Sequence, residues 1–100
     1  MPKEAVAAVV EEALREVQEL GGYEWVEIPP SAPIVGALPG FDSLIGIEAT
    51  VIVEQKLGTK LGQTAPVSLG PDSIFVSKDG TRALRFDEVV ASVCSILEAA

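Results

Sequence analysis

Few residues in this chain could do chemistry. Its 100 residues include no histidine and one cysteine, which argues against histidine-based triads and zinc sites and rules out a disulfide within the chain. Cys94 sits in the apolar run "EVVASVCSIL" and reads as a core residue rather than a reactive thiol. There is no glycine-rich phosphate loop and no pair of carboxylates at an identifiable cleft. One serine stands out. In "LPGFDSLIGIEA", Leu38–Ala49, Ser43 follows Asp42 and precedes Leu44, where a loop marked by Pro39 and Gly40 gives way to an amphipathic run. It can be a polar residue that opens a helix, or a hydroxyl that is there to be modified. As a nucleophile it has no visible base.

The elements that must position this serine follow from spacing. Val6, Val9, Val10, Ala13, Leu14, Val17 and Leu20 recur at steps of three and four with glutamates between them, which predicts an amphipathic helix over about 2–20. Pro2 and Glu4 suit its first turn, and Gly21-Gly22 its end. Residues 21–41 hold four prolines and the apolar anchors Ile28, Ile34 and Leu38, so a long ordered loop is expected. Tyr23 and Trp25 are expected to cover the end of the first helix.

A second helix is expected over about 42–57, ended by Gly58. Asp42 is its natural N-cap. One stripe carries Gly46, Thr50, Val53 and Leu57, another Leu44, Ile47, Val51 and Gln55, so one can face the core and the other solvent. An outward row of Leu44, Ile47 and Val51 would be an apolar patch of the kind that marks a docking site. Residues 58–85 read as a loop and a small β-hairpin, with Ile74 and Val76 facing Ala83 or Leu84 and Phe86 across Lys78-Asp79-Gly80-Thr81. A last helix is expected over about 86–99, with Val89, Val90, Val93, Cys94 and Leu97 on its apolar side.

Composition bounds the rest. The length suits one domain spanning 1–100, and a hydrophobic fraction of 48% with only 5% aromatic residues demands a core of short aliphatic side chains. A net charge of −8 opposes binding to nucleic acid or to an anionic membrane surface and favours a partner with a basic face. The apolar stretch Ala5–Val10 is too short for a signal-peptide core and runs into Glu11 and Glu12, and no segment approaches the about 20 apolar residues of a membrane span. A cytoplasmic location without membrane insertion is expected.

The stretch "IPPSAPIVGALPGFDSLIGIEATVIVEQKLGTKL", Ile28–Leu61, resembles the acyl carrier protein family, the phosphopantetheine-binding carrier domains of fatty-acid, polyketide and nonribosomal peptide systems. It has the family's proline-containing anchored loop, its Asp-Ser-Leu signature as Asp42-Ser43-Leu44, and its long second helix ending in leucine then glycine. The first helix and the acidic start of "LRFDEVVASVCSIL" are also similar, so the resemblance covers most of the chain.

The resemblance implies an all-α bundle of three or four helices, here with the hairpin as an insertion before the last helix. It implies phosphopantetheine esterified to Ser43, and an Asp42 that helps place magnesium and coenzyme A in the phosphopantetheinyl transferase. It also implies docking of synthases and transferases that load and use acyl groups through Leu44, Ile47, Glu48, Val51 and Glu54. A first-turn serine suits a phosphodiester, which the helix N-terminus stabilises. The chain is then a freestanding monomeric carrier and not an enzyme. Ile45 stands where many fatty-acid carriers are acidic, and Gln55, Lys56 and Lys60 dilute the negative charge of this helix, which points to dedicated partners. Gly46 answers either close packing or room for a bound chain. Lys78, Arg82 and Arg85 concentrate in the hairpin, as a specificity element or as edge charges. A peptidyl or aminoacyl carrier and an unmodified interaction module are the alternatives.

Overall fold

The valine-rich spacing near the amino terminus closes into α1 (Lys3–Leu20), the Asp42-led run into α2 (Ser43–Lys60), and the acidic-led final run into α3 (Phe86–Ala99). The computed structural model describes residues 1–70, 73–77 and 79–99, with Ser43 described for its backbone alone. The radius of gyration, 12.5 Å, is that of a folded chain of this length, about 13 Å. Among the described residues all regular structure is helical, and no helix is long and apolar enough to cross a membrane.

Helix α1 packs on both α2 and α3. It buries Val6, Val9, Val10, Ala13, Leu14 and Val17, which meet Ala49, Val53 and Leu57 of α2 and Val89, Val90 and Val93 of α3 in one core. Leu69, Ile74 and Phe75 complete that core from the segment between α2 and α3, and Ile34, Leu38 and Phe41 complete it from the long loop. Pro2 stands just outside α1 as its N-cap, its carbonyl accepting the Ala5 and Val6 N–H groups at 3.1 Å. At the other end Gly22, with φ +80°, takes the left-handed turn.

The long loop is fastened at its middle. Its backbone lies antiparallel to the entry of α3 through a Pro33–Arg85 bridge, with the Phe86 N–H donating to Ala32 O at 3.1 Å and the Asp87 N–H to Pro30 O at 3.0 Å. Trp25 is held by α1: the Arg15 guanidinium lies 4.4 Å from its ring centroid.

One helix boundary is corrected, and one expected element forms only in part. The second helix does not end near Leu57 but runs through Gly58 to Lys60, and the left-handed residue that follows is Gly62, with φ +72°. Gly58 is needed instead for a close crossing, because a Cβ there would stand 2.5 Å from the Ala65 carbonyl oxygen. Between α2 and α3 the expected hairpin is reduced, among the described residues, to one pair without regular strands. A single antiparallel bridge, Val76–Ala83, closes a turn around Asp79, whose carboxylate accepts from the Ser77 hydroxyl and from the Thr81 N–H and hydroxyl. The Ser77 hydroxyl is the main cause holding the Asp79 carboxyl down from 3.8 to about 2. The pairing extends only to the Ser77 N–H on Arg82 O at 2.8 Å and the Leu84 N–H on Phe75 O at 3.0 Å, because the next N–H, that of Ile74, turns to Thr50 of α2.

Candidate functional site

The start of α2 is built from three directions. Asp42 is the N-cap, with extended backbone at φ −124°, and its carboxylate accepts the Ile45 N–H at 3.0 Å while its carbonyl accepts the Gly46 N–H at 2.9 Å. Ser43 is therefore the first residue of the helix rather than its cap. The first turn itself contains no acidic residue, so the one carboxylate at the positive end of the helix dipole is the Asp42 cap, committed to the Ile45 N–H. The arrangement can stabilise an anion attached there. The side chain of Ser43, on which the attachment expectation rests, lies outside the described residues.

The approach to Ser43 is fixed from α1 and from the core. Gln18 is buried and donates from Nε2 to the Pro39 carbonyl at 2.8 Å. Gly40 has φ +68°, and a Cβ on it would collide with the Tyr23 ring. Tyr23 thus packs on the turn that leads into α2, at the end of the first helix. Phe41, next in line, is buried edge-on against Phe75 with ring centroids 5.4 Å apart. Sequence reasoning missed Gln18; its only signal was a polar residue four positions after Leu14 on the apolar face of α1.

Beyond the first turn the two faces of α2 separate. Leu44, Ile47 and Val51 form an outward row, with exposures of 65%, 50% and 46%, and Glu48 is exposed beside them. Glu54 is only half-buried, and its carboxylate accepts the Leu69 N–H at 2.8 Å. So Leu44, Ile47, Glu48 and Val51 share an open surface, whereas the Glu54 side chain anchors a chain segment of this same molecule.

On the inner face Gly46, Ala49, Thr50, Val53 and Leu57 are buried. The Thr50 hydroxyl donates to Gly46 O at 2.7 Å and accepts the Ile74 N–H at 3.1 Å. A Cβ on Gly46 would stand 2.9 Å from Ser73 Oγ, so the glycine permits close packing of the segment carrying Ser73. The Val67 N–H adds a bond to Glu54 O at 3.1 Å. Residues 67–69 and 73–75 are thereby strapped along α2.

The basic residues before α3 pair with carboxylates of its first turn. Arg82 binds Glu88 through both guanidinium nitrogens, at 3.0 and 3.2 Å, and Arg85 reaches Asp87 at 3.1 Å. Glu88 also accepts the Arg85 N–H at 2.9 Å, half of a capping box at the α3 start. The Arg82 hydrogen bonds, followed by that of the Arg85 backbone, draw the Glu88 carboxyl down from 4.5 to about 2. Both arginines are thus matched to carboxylates of α3, which favours an ordinary surface turn over a specificity element; Lys78 lies outside the described residues. Among the described residues no group of three histidine, cysteine or acidic side chains could hold a metal. Comparison of the chain with protein-family models, curated proteins and solved structures finds no match.

Proposed function

We propose that this chain is an acyl carrier, with Ser43 as the residue that bears a phosphopantetheine arm. The observation that carries the reading is the division of labour at the start of α2. Capping is performed by Asp42, through the bond to the Ile45 N–H, so capping does not account for a serine at position 43. The position instead combines a helix N-terminus whose one carboxylate, Asp42, is committed to the Ile45 N–H with an exposed apolar row beginning at the next residue. That is what an anionic attachment point beside a docking surface requires.

In the modification, the Ser43 hydroxyl oxygen forms a bond to the phosphorus of the pantetheine phosphate of coenzyme A. The bond from that phosphorus to adenosine 3′,5′-bisphosphate breaks, and the hydroxyl proton passes to a base of the transferase. When attached, the arm supplies the thiol that holds acyl groups as thioesters. First-turn N–H groups of α2 stabilise the phosphodiester, Asp42 holds the turn, and Leu44, Ile47 and Val51, rimmed by Glu48, meet the transferase and the enzymes that load and unload the carrier. The chain itself performs no catalysis, and the expected setting remains a cytoplasmic monomer.

The test is the intact mass after incubation with coenzyme A, magnesium and a broad-specificity phosphopantetheinyl transferase. The expected result is a gain of one phosphopantetheine that Ser43→Ala abolishes while keeping the fold. A folded protein that gains no mass with several transferases favours the unmodified interaction module instead.

A further inference from the structure

We infer that the group carried at Ser43 stays outside the helical bundle, which suits this chain to short or polar cargo, small acyl or aminoacyl groups, rather than to long alkyl chains. The inference rests on the carrier reading. A chain tethered at the start of α2 could leave water beside its tether only by passing between the inner face of that helix and whatever covers it. Gly46, one turn from Ser43 and without a side chain, is where such a chain would enter. That place is taken. A single methyl there would lie 2.9 Å from Ser73 Oγ, which would have to shift, with Phe75 Cδ2 at 3.7 Å and Phe41 Cε1 at 3.8 Å in van der Waals contact behind it, so one carbon fits only by moving Ser73 and a longer chain only by moving the two rings.

The covering segment is also tied down. The Ile74 N–H is bound to the Thr50 hydroxyl, the Phe75 N–H to Ser73 Oγ, and the Phe75 carbonyl accepts the Leu84 N–H at 3.0 Å. Admitting an alkyl chain would displace fully buried Phe75 from its edge contact with Phe41 and break bonds on both sides of it. The apolar groove lined by Leu61, Val67, Ile96 and Leu97 lies toward the far end of α2, with Leu61 about 27 Å from Ser43 along the axis by helical rise. The outer row of Leu44, Ile47 and Val51 lies on a convex helix and touches a chain on one side only. A long cargo would forgo roughly a fourfold gain in equilibrium for each methylene that burial would otherwise shield.

The test loads the full chain with acetyl or octanoyl phosphopantetheine from the corresponding coenzyme A thioesters, verifies the attachment at Ser43 by intact mass, and compares amide spectra and melting midpoints. The expected result is coincident Gly46, Thr50, Ile74 and Phe75 amide signals in the two forms and midpoints within about 2 °C of each other. A loaded octanoyl form that shifts those four amides and melts several degrees higher, as a ligand held only by the folded state must, overturns the inference and leaves the carrier reading standing. A folded protein that gains no mass overturns both, and the mass measurement tells the two failures apart.

Discussion

Thr50→Val isolates the hydroxyl that ties α2 to the segment before α3. Valine keeps the shape of threonine and removes only its hydrogen-bonding atom. Thr50 is 4% exposed, so neither bond it makes can be replaced by bulk water. The Gly46 carbonyl keeps its intrahelical backbone partner, but the Ile74 N–H, which now donates to Thr50 Oγ1 at 3.1 Å, is left without an acceptor beside a buried side chain. An orphaned buried donor costs about 1–3 kcal/mol. The methyl that replaces the oxygen returns at most about 0.8 kcal/mol of burial. The net loss of about 1–2 kcal/mol corresponds to a fall in melting midpoint of roughly 5–15 °C for a domain of this size.

Urea unfolding should show the same loss as a lowered midpoint at unchanged slope. Thr50→Ser supplies the control, since it keeps the hydroxyl and removes one methyl, at about 1 kcal/mol. Amide exchange separates the two: protection of the Ile74 amide should collapse in the valine variant and persist in the serine variant. A valine variant that melts with the parent protein and keeps Ile74 protected would refute the claim that this hydroxyl fastens the segment.

Further expectations follow from neighbouring contacts. Gly58→Ala, which in an exposed helix would gain up to about 1 kcal/mol, should destabilise here by about 1–3 kcal/mol, because the Ala65 backbone stands 2.5 Å from the added carbon; chemical denaturation reads the sign directly. Ile47→Glu and Val51→Glu, on half-exposed outward positions, should leave stability within about 0.5 kcal/mol while slowing transferase loading of Ser43, and equal loading rates would remove the row from the docking surface. The Glu88 carboxyl, lowered from 4.5 to about 2 by Arg82 and the Arg85 backbone, contributes stability that is present above pH 4.5 and lost as pH falls through about 2. Protection of the first-turn amides of α3, taken against the intrinsic exchange rate at each pH, should therefore fall across that window in the parent protein, and Glu88→Gln should flatten the dependence.

The helices were legible because each carries its own signal. The valine and leucine spacing of α1, the Asp42 cap and the acidic start of α3 are local patterns that need no distant partner. Spacing alone marked two apolar stripes on α2 without choosing between them; the structure buries Thr50, Val53 and Leu57 and leaves Leu44, Ile47 and Val51 outward. The path of residues 58–75 was not legible, since it is set by acceptors far away in sequence. Glu54 takes the Val67 and Leu69 N–H groups, Thr50 takes that of Ile74, and Gly58 admits the Ala65 backbone. A glycine after leucine reads locally as a helix stop. In the fold it is a crossing point, and the helix gains most of another turn. Glu54 likewise reads as a surface acid until the amide it accepts is known.

These contacts also explain how one helix can serve a partner without endangering its own fold. Everything that holds α2 acts on its inner face or ahead of its first residue: the core valine and leucine, the strap bound to Thr50 and Glu54, the cap on Ile45, and the Pro39 carbonyl gripped by Gln18. Nothing in that set draws on Leu44, Ile47, Glu48 or Val51. Docking of an enzyme on the outer row therefore perturbs groups that contribute little to stability, while Gln18, Thr50 and the core anchors remain buried and only the Asp42 cap is exposed beside Ser43. The corollary is an asymmetry between the two faces. Substitutions on the outer row should alter recognition at nearly constant stability, whereas Gln18→Leu, which strands the Pro39 carbonyl, should cost about 1–3 kcal/mol and slow loading of Ser43 although it touches neither the hydroxyl nor the docking row. Unchanged loading of a destabilised Gln18→Leu protein would show that the transferase reads the helix alone and not the turn that delivers it.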